Sequence, residues 1–117
     1  MEPFVLLSLA QGGPAHGYEL AQSMAALGFR RAADDASVVY KLLRGLEDRG
    51  FLTSEWGAAA GGPPPRIYRL TATGRAYLDE RAVDLERQAK RIKVFLERYR
   101  RHGRRLRSSR APGKDTA

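Results

Sequence analysis

The chain contains no cysteine, which excludes disulfides and thiolate metal sites, and it offers only His16 and His102 as imidazoles. A structural zinc is therefore not expected. Long apolar runs are also missing. The longest near the start, Phe4 to Ala10, is seven residues, is preceded by Glu2 and is interrupted by Ser8, so it fits neither a signal peptide nor a membrane span. The expected location is cytoplasmic. No glycine-rich phosphate loop, no nucleophile beside a base and no metal-ligand cluster stands out, so neither an enzyme nor a cofactor is expected. At 117 residues, one compact domain with an appended element is the natural size.

Acidic residues run out toward the end of the chain. The net charge is +8, but residues 1–97 carry 13 Lys and Arg against 12 Asp and Glu, whereas residues 98–117 carry 8 against 1. Basicity points to an anionic partner. Its location shows that any sequence-reading surface must be found by pattern in the nearly neutral remainder.

Glu2 to Gln11 is apolar on too many sides for a surface helix and reads as a buried one, broken by Gly12-Gly13-Pro14. His16-Gly17-Tyr18-Glu19-Leu20 opens a second helix. Tyr18 or Leu20, Ala21, Met24, Ala25 and Leu27 then recur at helical spacing up to Gly28. Phe29 to Asp35 reads as a polar connection ending in an aspartate suited to capping. From Ala36 to Arg49 a third helix places Val39, Leu42, Leu43 and Leu46 on one face, and Gly50 stops it. Phe51–Trp56 and Arg66–Leu70 read as strands, joined by the uncharged Gly57–Pro65 as a long hairpin tip.

Thr71 can cap a last helix. Along it Leu78, Ala82, Leu85, Ala89, Ile92, Leu96 and Tyr99 follow alternating steps of four and three, a heptad seam over three heptads. No second long helix is read in the chain to cover this stripe. The simplest partner is the same helix of a second copy, helped by the apolar first helix. After Gly103, the end rich in Arg, Ser, Pro and Gly reads as a disordered basic tail.

The order of three helices and a hairpin is that of a winged helix-turn-helix, an α+β and mostly α fold, here with a long C-terminal dimerisation helix. The expected divisions are 1–70 for the DNA-binding domain, 71–102 for the dimerisation helix and 103–117 for the tail. A helix with a polar, basic outer face can lie in the major groove, which makes Ser37, Tyr40, Lys41 and Arg44 the best-placed groups. Arg66 at the wing base and Arg69 beyond it can reach phosphate. Three of these residues have a plainer alternative: Lys41 and Arg44 pairing with Glu47 or Asp48, and Tyr40 packing inward on Phe29 or Phe51. His16 reads as structural, and Trp56 as an aromatic closing the core beneath the wing.

His16-Gly17-Tyr18-Glu19-Leu20, Val39-Tyr40 with Leu43, Leu46-Glu47 and Gly50, Ser54-Glu55-Trp56, Gly62-Pro63 with Tyr68, and Leu70-Thr71 with Gly74 together resemble the successive signatures of the PadR family over residues 3 to 78. The resemblance implies a dimeric bacterial repressor, often responsive to small molecules such as phenolic acids or drugs, of the short class with one C-terminal dimerisation helix. It implies that Tyr18, Ser37 and Tyr40 touch the DNA backbone and that Lys41 reads bases. The chain departs from the pattern in two places. Asp35-Ala36-Ser37 and Lys41 flank Tyr40 where Pro-Gly-Ser and Pro are common, and the wing tip lacks the basic residues often found there.

The function expected is thus a sequence-specific transcriptional regulator, a homodimeric repressor on a pseudo-palindromic operator in double-stranded DNA. A small aromatic effector is a further expected partner. Ala82 and Ala89 either open a cavity for it between protomers or let the helices approach more closely, and the sequence leaves both readings open. The competing expectation is a protein-interaction module that uses the heptad helix, with the winged domain as scaffold.

Overall fold

The computed structural model describes residues 1–58 and 65–109. The elements are α1 (Glu2–Gly12), β1 (Ala15–His16), α2 (Gly17–Ala26), α3 (Arg30–Asp34), α4 (Ser37–Asp48), β2 (Leu52–Trp56), β3 (Arg66–Leu70) and α5 (Ala72–Ser109). The strands form an antiparallel sheet in the order β1-β3-β2. This is a winged helix-turn-helix, mostly helical with a small sheet, followed by a long C-terminal helix. Among the described residues no helix is long and apolar enough to cross a membrane.

Two compact units are present, Met1–Ala82 and Val83–Ala117. The first extends past the expected 1–70 because the opening turns of α5 belong to it: Tyr77 and Leu78 pack against its core. That core joins Val5, Leu6 and Leu9 of α1, Leu20, Ala21 and Met24 of α2, Ala32, then Val39, Leu43 and Leu46 of α4, with Leu52 and Tyr68 from the sheet. Full burial of an aliphatic side chain is worth about 1.5–3 kcal/mol. The exposed ion pairs contribute about 0–1 kcal/mol each, so this cluster decides the stability.

The helix stops follow from backbone chemistry. Gly28 and Gly50 have φ of 95° and 83°, a left-handed conformation that costs glycine nothing. The amides after them, Phe29 and Phe51, return to the carbonyls of Met24 and Leu46 at 3.2 and 3.0 Å, closing both ends. Thr71 caps α5: its Oγ1 accepts from the Gly74 amide at 2.9 Å and donates to the carbonyls of Gly50 and Phe51.

Four local expectations need correction. Residues 30–34 form α3, since Arg and Ala are strong helix formers and burial of Ala32 anchors the turn. Residues 15–16 form β1, too short to show an alternating pattern. On α1 only one side is buried, with Phe4 and Leu7 exposed, and on α2 Leu27 is exposed past the last turn while Leu20, not Tyr18, enters the core. Finally, residues 103–109, expected in a disordered tail, continue α5 to Ser109. Gly103 costs about 1 kcal/mol, but extending an existing helix through arginine and leucine is cheap once the nucleus is formed. Residues 110–117 lie outside the described residues.

The second unit is described by α5 alone, from Val83 onward. There Leu85, Ala89, Ile92, Leu96 and Tyr99 of the heptad seam are exposed; of the two seam residues in the first unit, Ala82 is exposed and Leu78 packs on the core of its own chain.

Candidate nucleic-acid interface

Helix α4 is set by its start. The Asp35 carboxylate accepts the Ser37 amide at 3.0 Å, and hydrogen bonding from the Ser37 side chain first, and from this amide second, holds the Asp35 carboxyl below its ordinary value. With Val39, Leu43 and Leu46 turned into the core, Ser37, Lys41 and Arg44 are left exposed and Tyr40 half-buried. Glu47 does not neutralise them. It accepts the Ser54 hydroxyl at 2.7 Å and pairs with Arg66 at 3.9 Å. Among the described residues no ion pair joins Lys41 or Arg44 to Glu47 or Asp48.

The two flanks of α4 carry different surfaces. On one, Tyr40 and Arg44 meet Tyr18 from α2 and Arg66 and Tyr68 from β3 around a cleft of about 400 Å³ that Trp56 also lines. Gly17 makes this possible: a β-carbon there would stand 2.5 Å from Cε1 of Tyr40, so the tyrosine ring lies directly on the α2 backbone. Tyr40 therefore packs inward, but on Gly17 and not on Phe29 or Phe51. Burial pushes the Tyr68 phenol above its ordinary value, and the guanidinium of Arg66 works against that rise. On the other flank Ser37 and Lys41 share a groove of about 740 Å³ with Arg31 and Arg49.

Strand register decides the two wing arginines. Trp56 pairs with Arg66, Ser54 with Tyr68 and Thr53 with Arg69. Side chains alternate across a strand, so Arg66 shares the Tyr68 side, next to α4, and Arg69 points to the opposite face. There Arg69 binds the Glu55 carboxylate at 3.1 and 3.3 Å. Of the seven residues expected at DNA, the structure brings together Tyr18, Tyr40, Arg44 and Arg66, sets Ser37 and Lys41 on the neighbouring flank, and separates Arg69.

Trp56 is 64% exposed, so it does not close the core as expected. The Arg66 guanidinium lies over its ring, 4.5 Å from the centroid. Sequence reasoning also missed Arg31 and Arg49 beside Lys41. The Trp56–Arg66 pairing was recoverable from the hairpin register, but Arg31 needed the unforeseen α3. His16 lines the cleft beside Gly17, and its amide donates to Glu19 at 3.1 Å, half of a capping arrangement for α2. Among the described residues no cluster of three or more potential metal ligands exists.

The model of the transcriptional regulator PadR-like family matches residues 5–80, from the second turn of α1 into α5. The chain belongs to this family. A PadR family transcriptional regulator from Eggerthella lenta is 35% identical, with a TM-score of 0.66 over 80% of this chain and 81% of that one. A putative transcriptional regulator from Thermoplasma acidophilum is 28% identical, with a TM-score of 0.69 over 82% and 89%. A PadR-like regulator from Bacillus cereus, 22% identical with a TM-score of 0.69 over 81% and 89%, shares the fold. No curated protein is similar enough to count as a match. As a PadR-like protein the chain is a DNA-binding transcription regulator, and the sheet strands β2 and β3 are the base of its wing.

Proposed function

We propose that this PadR-like protein reads duplex DNA with the exposed face of α4 and represses transcription as a homodimer on a pseudo-palindromic operator. The observation that carries the reading is the convergence of Tyr18, Tyr40, Arg44 and Arg66 on one side of α4, with Lys41 and Ser37 on the other. Guanidinium and ammonium groups can fork to phosphate or to guanine edges, and phenolic hydroxyls donate to phosphate. Arg69, on the opposite face of the sheet and paired with Glu55, is not part of this surface.

The dimer is supported by the seam. Leu85, Ile92, Leu96 and Tyr99 are 38, 51, 36 and 62% exposed along one helix, a stripe that a second copy in coiled-coil contact would bury. Two copies present two α4 helices to successive major-groove faces, which matches a two-fold operator. A small aromatic effector would act by shifting the spacing of those helices.

The test has two arms. Selection from a random DNA pool yields the operator. Tyr40→Phe with Lys41→Ala then weakens operator binding at least tenfold in a gel shift, and unchanged affinity refutes α4 as the reader. Light scattering gives twice the monomer mass for the wild type and one monomer for Ile92→Glu with Leu96→Glu. A wild-type monomer at micromolar concentration assigns the seam to a different helical partner.

A further inference from the structure

We infer that the last turns of α5, from Arg98 onward, are a second nucleic-acid surface that grips the DNA backbone without reading sequence. Six arginines, Arg98, Arg100, Arg101, Arg104, Arg105 and Arg107, stand in ten residues, and no Asp or Glu follows Glu97 until Asp115. The stretch before it is balanced, with four Lys and Arg against three Asp and Glu in residues 83–97. The imbalance therefore begins abruptly, on a segment that is helical.

Helical order changes what these charges can do. On a disordered tail they would form a diffuse cloud, whereas on a helix each guanidinium has a set azimuth and rise. Tyr99 and Leu106 fall on one line, and Arg98, Arg100, Arg101, Arg104 and Arg105, all exposed, occupy the remaining circumference. Arg100 and Arg104 are like charges four residues apart, as are Arg101 and Arg105, and such pairs destabilise a helix. A polyanion relieves that repulsion.

Two other accounts fit less well. Cations favour a helix C-terminus, but that effect is confined to the last turn, and Arg98 to Arg105 lie before it. A basic amphipathic helix can also lie on an anionic membrane, yet beyond Tyr99 the only large apolar side chain up to Ser109 is Leu106, too little to bury in lipid. Every one of the six cations is arginine, whose planar fork matches phosphate in two directions. In a protein of a DNA-binding family, duplex phosphates are the polyanion at hand.

The experiment uses the full chain and a labelled duplex of arbitrary sequence, with affinity measured by anisotropy over a salt series. Arg100→Gln, Arg101→Gln and Arg104→Gln are combined, since glutamine keeps the helix, and circular dichroism checks this. Each lost phosphate contact lowers the slope of log affinity against log salt by about 0.9, so the triple variant loses roughly 2 or more. The corresponding triple Arg→Lys variant keeps the slope. An unchanged slope in the glutamine variant overturns the inference. So does loss of binding to phosphatidylserine-containing vesicles while the DNA slope holds, which would assign the surface to membrane. Reading by α4 fails separately: Lys41→Ala would then leave sequence preference intact whatever the slope does.

Discussion

The guanidinium of Arg66 lies 4.5 Å above the ring centroid of Trp56, its direct cross-strand neighbour. An exposed tryptophan at a wing base is thereby explained as a platform, with Glu47 at 3.9 Å restraining the same arginine from α4. Exposed cation–π contacts are worth about 0.5–1 kcal/mol, so Trp56→Ala should weaken duplex binding roughly 2- to 5-fold. Trp56→Phe should recover most of it. Since Trp56 is the only tryptophan, its emission should change on titration with DNA. Equal affinities for all three proteins would dismiss the platform.

Gly17→Ala separates binding from folding. The new methyl meets Cε1 and Cδ1 of Tyr40 at 2.5 and 3.0 Å, but a side chain can move where a backbone cannot. The expected stability loss is only about 1 kcal/mol by urea denaturation, because overpacking of a yielding site falls at the low end of its range. Displacing Tyr40 reshapes the cleft, so operator affinity should drop at least tenfold. A variant that binds normally would show that the Tyr40 position is irrelevant to recognition.

Gly74→Ala should behave in the opposite sense. Helix propensity alone favours alanine by about 1 kcal/mol. The β-carbon, however, would run into the backbone carbonyl of Phe51, which already accepts the Thr71 amide at 3.1 Å and the Thr71 hydroxyl at 3.0 Å. That junction cannot yield without losing the α5 cap. A net destabilisation of about 2 kcal/mol or more is expected from thermal or urea unfolding. Stabilisation would mean that α5 begins differently.

Asp35 gives the start of α4 a pH dependence. Its folded pKa is lowered, chiefly by the hydrogen bonds from Ser37, so the unfolded chain binds the proton more readily. The contribution is therefore present above the ordinary carboxylate value, 3.8, and fades as pH falls through and below it. Stability measured from neutral pH down to acid should show wild type and Asp35→Ala converging at the acid end. Parallel curves would assign the Asp35 bond no stabilising role.

The amphipathic elements were legible because their periods are local. Val39, Leu43 and Leu46 are buried as the 3.6-residue spacing requires, and the stops at Gly28 and Gly50 stand at positive φ. Short elements were not legible: α3 and β1 each hold too few residues to display a period, and their existence rests on Ala32 reaching the core and on Ala15 and His16 bonding to β3. At the candidate site, the exposed face of α4 could be read from the chain. That Arg66 joins it while Arg69 turns away to Glu55 depended on strand register and on which sheet face met α4.

By itself, then, the order of residues determined the four longer helices, the hairpin, the apolar seam along α5, the crowding of arginine at its end and the family. Each of these is a matter of neighbours within a few turns. Tertiary structure decided that Tyr40 lies on the α2 backbone at Gly17, that Trp56 carries Arg66 outside the core, and that Leu78 serves its own chain while Ile92 stays exposed. Those relations join residues far apart in sequence, and they exist only once burial of the common core has selected one packing of the elements.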